Sequence, residues 1–516
     1  MTEPEVPSTA PEGRGDLRRE ATTGFRRAIG LTALGTVVPG AGLTQTRNRR
    51  LGWVLFAIAA VAAVGLAFIV MTKGVTATAL SVVSRPGTLQ WLVVGFIVAG
   101  LVWAASIVLT AVQTRPGRLD RVHTRWLAAF TTVMVLLVTS SSLKAAEYAA
   151  ITKQTVSDVF SANPDQPGEG AKVAQGDNPW ADTPRVNILL IGSDAGSDRV
   201  GIRTDSMIVA SIDTASGRTS LIQLPRNLLD APLAENSPLR ARYPSGHFGQ
   251  PDSTCDQNGG GATGQCMLTN LYVEAQTYAK DHPGSYPAGS TPGRVEIRGT
   301  VQQITGLKID QMVVIDLKGF QQLIDAMGGL EINVKLSGVG TKLTIGGQHD
   351  ASGRLFGVTG YFEPGRQHLD GFHSLWYART RAADDDNFRQ DRQRCVVQAI
   401  VQQVNPAEMV SKYPEVAAIA KDNIYTDIPA SSLPAFVDLV ERVQQAKITS
   451  VALTQAQGVN SGDPDYALIR KLVAKAIAAP PTSTPRPSGT PAPTPTTTAP
   501  ATQTPSGTTS TPYSDC

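Results

Sequence analysis

The sequence lacks the marks of several common protein classes. Its 46 Lys and Arg nearly balance 43 Asp and Glu, leaving a formal net charge of +3, and no basic stripe interleaves with aromatic residues. That balance argues against nucleic acid as a partner. The chain has four cysteines, Cys255, Cys266, Cys395 and Cys516, with no CxxC pair and no histidine placed to complete a zinc pattern. Residues 1–26 are polar and contain no apolar core, so a cleaved signal peptide is not expected there. Charge is also missing from three long runs, Leu51–Met71, Leu92–Thr110 and Trp126–Ser141, which hold no Asp, Glu, Lys or Arg.

Those three runs are what is there instead. A helix that spans a bilayer needs about 20 apolar residues, and three such stretches in succession read as transmembrane helices. Residues 27–44 are apolar but short and carry Pro39 and several glycines, which fits a re-entrant hairpin or a short broken helix. Arginines crowd the segment before residue 28, the Arg47–Arg50 stretch and the loop 111–125, whereas residues 72–91 hold only Lys73 and Arg85. The positive-inside rule then puts the N-terminus and loop 111–125 in the cytoplasm and everything after about residue 145 outside. An oxidising compartment would allow a disulfide between Cys255 and Cys266, although two free thiols are equally writable from the sequence.

The expected organisation follows in order. It is a basic N-terminus (1–26), a membrane region (27–145), a polar linker (146–183), a compact domain (184–410), helices and a strand packed on it (411–479), and a Pro/Thr-rich disordered tail (480–516). Within the domain, short β-branched runs at 186–191, 206–212 and 219–224 read as strands. Alternating strand and helix patterns after them point to an α/β fold, layered α-β-α, with a mixed sheet.

Charged groups collect where these strands end. Asp194 and Asp205 flank the joint between the first two strands, a placement suited to Mg²⁺ facing a pyrophosphate, and equally to turn caps. Arg203 lies between them and Arg226 follows the third strand in LPRN. A second cluster, YARTRAADDDNFRQDRQR at 377–394, holds Arg379, Arg381, Arg389, Arg392 and Gln393, with Asp385 or Asp386 placed to cap the helix. Guanidinium groups grip two phosphoryl oxygens at once, and a helix N-terminus adds backbone donors for an anion. A solvated charged face is the plainer alternative.

The stretches NILLIGSD, RTDSMIVASID, SLIQLPRN, LTNLY, ITGLKIDQMVVIDLKGFQQLIDAMGGLEINV, HLDGFHSLWYARTR and DNFRQDRQR, taken together in this order, resemble the LytR-CpsA-Psr family of cell wall glycopolymer transferases. The resemblance implies an extracytoplasmic domain and a magnesium-binding acidic pair at Asp194 and Asp205, with Mn²⁺ as an alternative metal. It implies a pyrophosphate-binding and catalytic set of Arg203, Arg226, Arg379, Arg381, Arg389 and Gln393, joined by Arg392. The implied partners are a polyprenyl-pyrophosphate-linked glycopolymer, a peptidoglycan hydroxyl and membrane lipid, and the product is a phosphodiester link. Departures include Asn227 where the family usually has Asp, which leaves the general base unassigned. LTN at 268–270 replaces a usual Lys-Ile-Asn, and at least three membrane spans replace one. A lipid-linked pyrophosphatase and a non-catalytic wall-polymer binding protein are the rival readings.

Overall fold

The computed structural model describes residues 14–74, 86–116, 120–159, 179–194, 203–249, 266–335, 342–349, 354–381, 386–405 and 412–478, with a few single positions between them. The chain forms two compact units, Met1–Val156 and Ser157–Cys516. The tail, Cys255 and Cys516 lie outside the described residues, and so does the proposed pairing of Cys255 with Cys266. Cys266 and Cys395 are each disulfide-bonded, and both are buried.

The first unit is helical: α1 (Arg14–Val37), α2 (Arg49–Lys73), α3 (Pro86–Thr114) and α4 (Arg121–Val159). Three of them, α2 to α4, are long and apolar enough to cross a membrane. Large apolar side chains such as Val54, Ile58, Val61 and Phe68 stand exposed on α2, a surface that suits lipid rather than water. α4 continues to Val159, well into the stretch read from sequence as linker. The 27–44 segment is a broken helix that turns back on itself. α1 ends at Val37, Gly40 takes a left-handed φ of 79°, and the 3-10 turn Ala41–Gln45 follows. This reversal depends on close packing: a Cβ on Gly42 would lie 2.3 Å from the Leu31 carbonyl oxygen. Trp103 on α3 donates its indole N–H to the Gly35 carbonyl at 2.8 Å, satisfying a group near the helix end.

The second unit is built on a six-stranded mixed sheet. Its strands are β1 (Arg185–Ser193), β2 (Thr204–Asp213), β3 (Thr219–Leu224), β4 (Gln311–Asp316), β9 (Ile424–Thr426) and β10 (Ile448–Ala452), in the order β10-β3-β2-β1-β4-β9. β1–β2, β2–β3 and β4–β9 pair antiparallel; β1–β4 and β3–β10 pair parallel. Two smaller pairs lie outside it: β5 (Leu330–Val334) with β8 (Gly365–Leu369), and β6 (Thr344–His349) with β7 (Leu355–Tyr361). Both edge strands of the main sheet come from beyond residue 410, so residues 411–479 complete the sheet rather than merely pack on it.

Alternation along the strands sends side chains to two cores. Leu189, Ile191, Met207, Val209, Ile222 and Leu224 face one side, where α5 (Leu271–Asp281), α6 (Pro292–Thr305) and α12 (Tyr466–Ile477) cover them. Ile208, Ala210, Ile212 and Leu221 face the other, against α11 (Leu433–Gln445) and apolar residues of α9 (Asp386–Gln403). The α-β-α layering expected from the element order is therefore present. A third cluster joins β5 and β8 to α7 (Leu317–Met327), α8 (Gly371–Arg379) and α9.

One ion pair is sealed inside. Arg298 on α6 pairs with Asp427, both side chains almost inaccessible, and Asp427 also accepts the Met312 N–H at 2.7 Å. This ties α6, β4 and the segment after β9 at one point. Removing one partner leaves an uncompensated buried charge, so Asp427→Ala should cost about 3–5 kcal/mol. Denaturant unfolding of the full chain measures it; a loss under 1 kcal/mol would show that the pair does not hold these elements together.

Candidate active site

The site starts with an irregularity in the β1–β2 ladder. Gly192 pairs with Ser206, but Ser193 pairs with Thr204, so Asp205 is left without a cross-strand partner. A β-bulge of this kind re-aims one side chain out of the alternation, commonly beside a functional site. Gly192 permits the close approach: a Cβ there would lie 3.3 Å from that of Ser206. Just past the bulge, Asp194 is buried, and its Oδ1 accepts the Arg203 N–H at 2.9 Å while its own N–H donates to the Arg203 carbonyl at 3.1 Å. Arg203 therefore meets Asp194 through its backbone. Its side chain is exposed and forms no ion pair among the described residues.

Pro225 has no N–H and ends β3, and Arg226 follows at the turn. The turn is pinned from behind, because Thr269 and Leu268 donate their N–H groups to the carbonyls of Arg226 and Leu228, each at 2.9 Å. Leu268 is fully buried in the main core. The position where the family resemblance expects a lysine therefore contributes packing and no charge.

The second cluster arrives on α8 and α9. Asp386, the first residue of α9, gathers three arginines around one carboxylate oxygen. Arg389 reaches Asp386 Oδ1 with Nε at 2.9 Å and Nη2 at 2.8 Å, Arg226 with Nε at 3.7 Å, and Arg381 with Nη1 at 3.8 Å. Arg226 also pairs with Asp205 at 2.6 Å, and Arg389 donates to the Asp205 carbonyl at 3.2 Å. Residues nearly 200 positions apart thus close on a single point.

The electrostatics follow from this crowding. Burial alone pushes the Asp386 carboxyl up, but Arg389 and Arg226, with hydrogen bonds from Arg389 and Gln390, outweigh it and hold Asp386 below the usual carboxylate range. Arg381 is pushed down from the ordinary guanidinium value, first by desolvation and then by Arg226 and Arg389 beside it. The cluster is over-supplied with positive charge.

The remaining sequence candidates are placed differently. Gln393 is buried one turn beyond Arg389 and accepts from Gln223 of β3 at 3.0 Å. Arg379 lies over the Trp376 ring, 5.8 Å from its centroid, rather than on Asp386. Arg392, grouped by sequence with the pyrophosphate ligands, is turned inward. Its Nε donates to the Tyr377 carbonyl at 2.8 Å, and its Nη groups hold Asp384 and the Thr380 carbonyl. With those donors engaged, Arg392 fixes the loop that presents Arg379 and Arg381. Asp386 and Gln223 were missed as site residues; Asp386 stands in a run of three aspartates that reads as a solvated face or a cap.

A profile of the LytR_cpsA_psr family matches residues 134–237 and 259–478. The chain belongs to the LytR-CpsA-Psr family. A Bacillus subtilis protein named polyisoprenyl-teichoic acid--peptidoglycan teichoic acid transferase TagV is 29% identical over 169 residues, 32% of this chain and 41% of that protein. An Enterococcus faecalis protein named TagU, of the same activity, is 28% identical over 247 residues, 47% of this chain and 61% of that protein. The matches therefore span less than two thirds of these relatives. A solved LytR-CPS2A-psr family protein, YwtF (TagT) with bound octaprenyl pyrophosphate lipid, is 16% identical with a TM-score of 0.35, covering 60% of this chain and 95% of that one.

For a LytR-CpsA-Psr chain the question of metal turns on the donor set. No group of three or more His, Cys, Asp or Glu side chains comes together among the described residues. Asp194 and Asp205 offer two carboxylates across one strand pair. That suits Mg²⁺, which commonly takes one or two protein carboxylates and completes its shell with water and substrate phosphate.

Asp386→Asn removes the carboxylate the arginines share. It should tighten binding of inorganic pyrophosphate by about tenfold, or 1.4 kcal/mol, in calorimetry on the full chain; weaker binding would show that Asp386 positions the arginines instead. A carboxyl held low stabilises the fold above its unfolded value, near pH 4, and loses that contribution as the pH falls through the folded value. The wild type should therefore lose more stability than the Asn variant below about pH 4.

Proposed function

We propose that this chain transfers a glycopolymer from a polyprenyl-pyrophosphate carrier to a peptidoglycan hydroxyl, forming a phosphodiester link to the wall. The observation that carries the reading is the convergence of Arg226, Arg381 and Arg389, from three separate elements, beside Asp205 at one end of the sheet. Such a group fits a diphosphate, the most highly charged part of that donor. The names of the curated relatives favour the same class of reaction.

In this reading the acceptor oxygen attacks the phosphorus that bears the glycan. A new P–O bond forms, the bond to the bridging oxygen breaks, and polyprenyl phosphate leaves with the electron pair. The hydroxyl proton passes to solvent or to a base. Phosphoryl transfer depends mainly on positioning and on offsetting charge, so the arginines act by holding the two phosphates and by matching the charge that builds on the leaving group. Asp194 and Asp205 would hold Mg²⁺, which supplies further positive charge at the phosphate oxygens when bound. Gln393, held by Gln223, borders the same end of β3.

The membrane helices give the reaction its place. The leaving group has a long apolar tail, and an anchored enzyme stays beside it. Arginine-rich flanks place the N-terminus in the cytoplasm and the sheet domain outside.

The test uses the full chain in lipid nanodiscs with Mg²⁺, a polyprenyl-pyrophosphate-linked labelled glycan and peptidoglycan. Label should appear on the peptidoglycan; release of the glycan without it would make the protein a pyrophosphatase, and no turnover would make it a binding protein. Arg389→Ala should lower kcat by about a hundredfold, roughly 2.7 kcal/mol, with the fold intact by circular dichroism. Asn227→Asp should change the rate more than the stability, and a new limb in its pH–rate profile would show that a base had been restored.

A further inference from the structure

Outside the helical unit, the large hydrophobic side chains that stand exposed among the described residues are all aromatic and all fall between 356 and 388. They are Phe356 at 47%, Tyr361 at 55%, Phe372 at 45% and Phe388 at 37% exposure. Scattered exposed apolar residues are ordinary; a group confined to one region beside a charged cluster is not.

Their placement ties them to the arginine site. Phe356 pairs with Gln348 and Tyr361 with Thr344, so the two aromatics share one face of the β6–β7 hairpin, four positions apart on the partner strand. The Thr344 hydroxyl meets that of Thr380 at 2.8 Å, and Thr380 lies between Arg379 and Arg381. Phe372 and Trp376, one turn apart on α8, approach with ring centroids 6.3 Å apart, and Arg379 covers Trp376. Phe388 immediately precedes Arg389. The charge around these rings is basic: Arg354, Arg366, Arg379 and Arg381 lie between residues 354 and 381, against Glu363 and Asp370.

We propose that this aromatic and basic rim is the surface by which the domain rests on the outer face of an anionic phospholipid bilayer. Aromatic rings settle at the headgroup level, and arginines there meet lipid phosphate. The occupant is the bilayer because the same chain carries three helices of bilayer length. A polyprenyl diphosphate also presents its charged group at headgroup depth, where these arginines would meet it without the tail leaving the lipid. The inference rests on the proposed lipid-linked donor and on the domain lying outside.

The experiment reads contact directly and needs no turnover. Phe356→Trp, in the full chain reconstituted in phosphatidylglycerol bilayers with brominated acyl chains, should add fluorescence that the brominated lipid quenches and aqueous iodide does not. An added signal quenched by iodide and untouched by the brominated lipid would overturn the proposal, whatever the activity. The double variant Phe356→Ser, Phe372→Ser should raise KM several-fold for a long-chain donor in the bilayer and leave KM for a short-chain, water-soluble donor unchanged. An equal rise for both donors would assign the rim to the donor's sugars and overturn it too.

Discussion

Arg226, Arg381 and Arg389 are drawn together against their mutual repulsion, and the rest of the site is arranged to hold them there. Two unit charges 4 Å apart at a surface-like effective dielectric of about 20 repel by about 4 kcal/mol. Asp386 and Asp205 offset that repulsion from within the protein. The rigidity comes from elsewhere: a bulge aims Asp205, a proline and the 268–269 backbone fix the Arg226 turn, and the inward Arg392 pins the loop before α9. A diphosphate brings more negative charge than one carboxylate, so it competes well for a cluster already assembled.

Much of this was legible in the sequence. β1 to β3 stand out as β-branched runs with polar joints, because a buried strand can hardly be anything else. The membrane helices are plain for a similar reason: runs of that length without charge have few other uses. The pairing of acidic joints with a distant arginine cluster came from the family resemblance, and the strand register then supplied its geometry. What stayed hidden was long-range. β9 has three residues, too few for any periodicity, and the order of the strands depends on partners hundreds of positions away. Arg392 and Arg389 look alike in the sequence, and only packing turns one inward and the other toward Asp386. Cys395 reads as core and is also covalently bonded.

The sheet's edges have a consequence for how the chain comes to be folded. β3 carries six buried residues and is completed by a parallel partner, β10, more than 200 positions later. Such pairings are slow to form, since a long loop must close before any contact rewards it. A chain made from its N-terminus presents β1, β2 and β3 while one side of that ribbon is still bare and greasy. An open edge of this kind invites self-association, and brevity is one of the few safeguards against it. Nascent molecules halted before residue 448 would carry most of the chemistry and none of the protection.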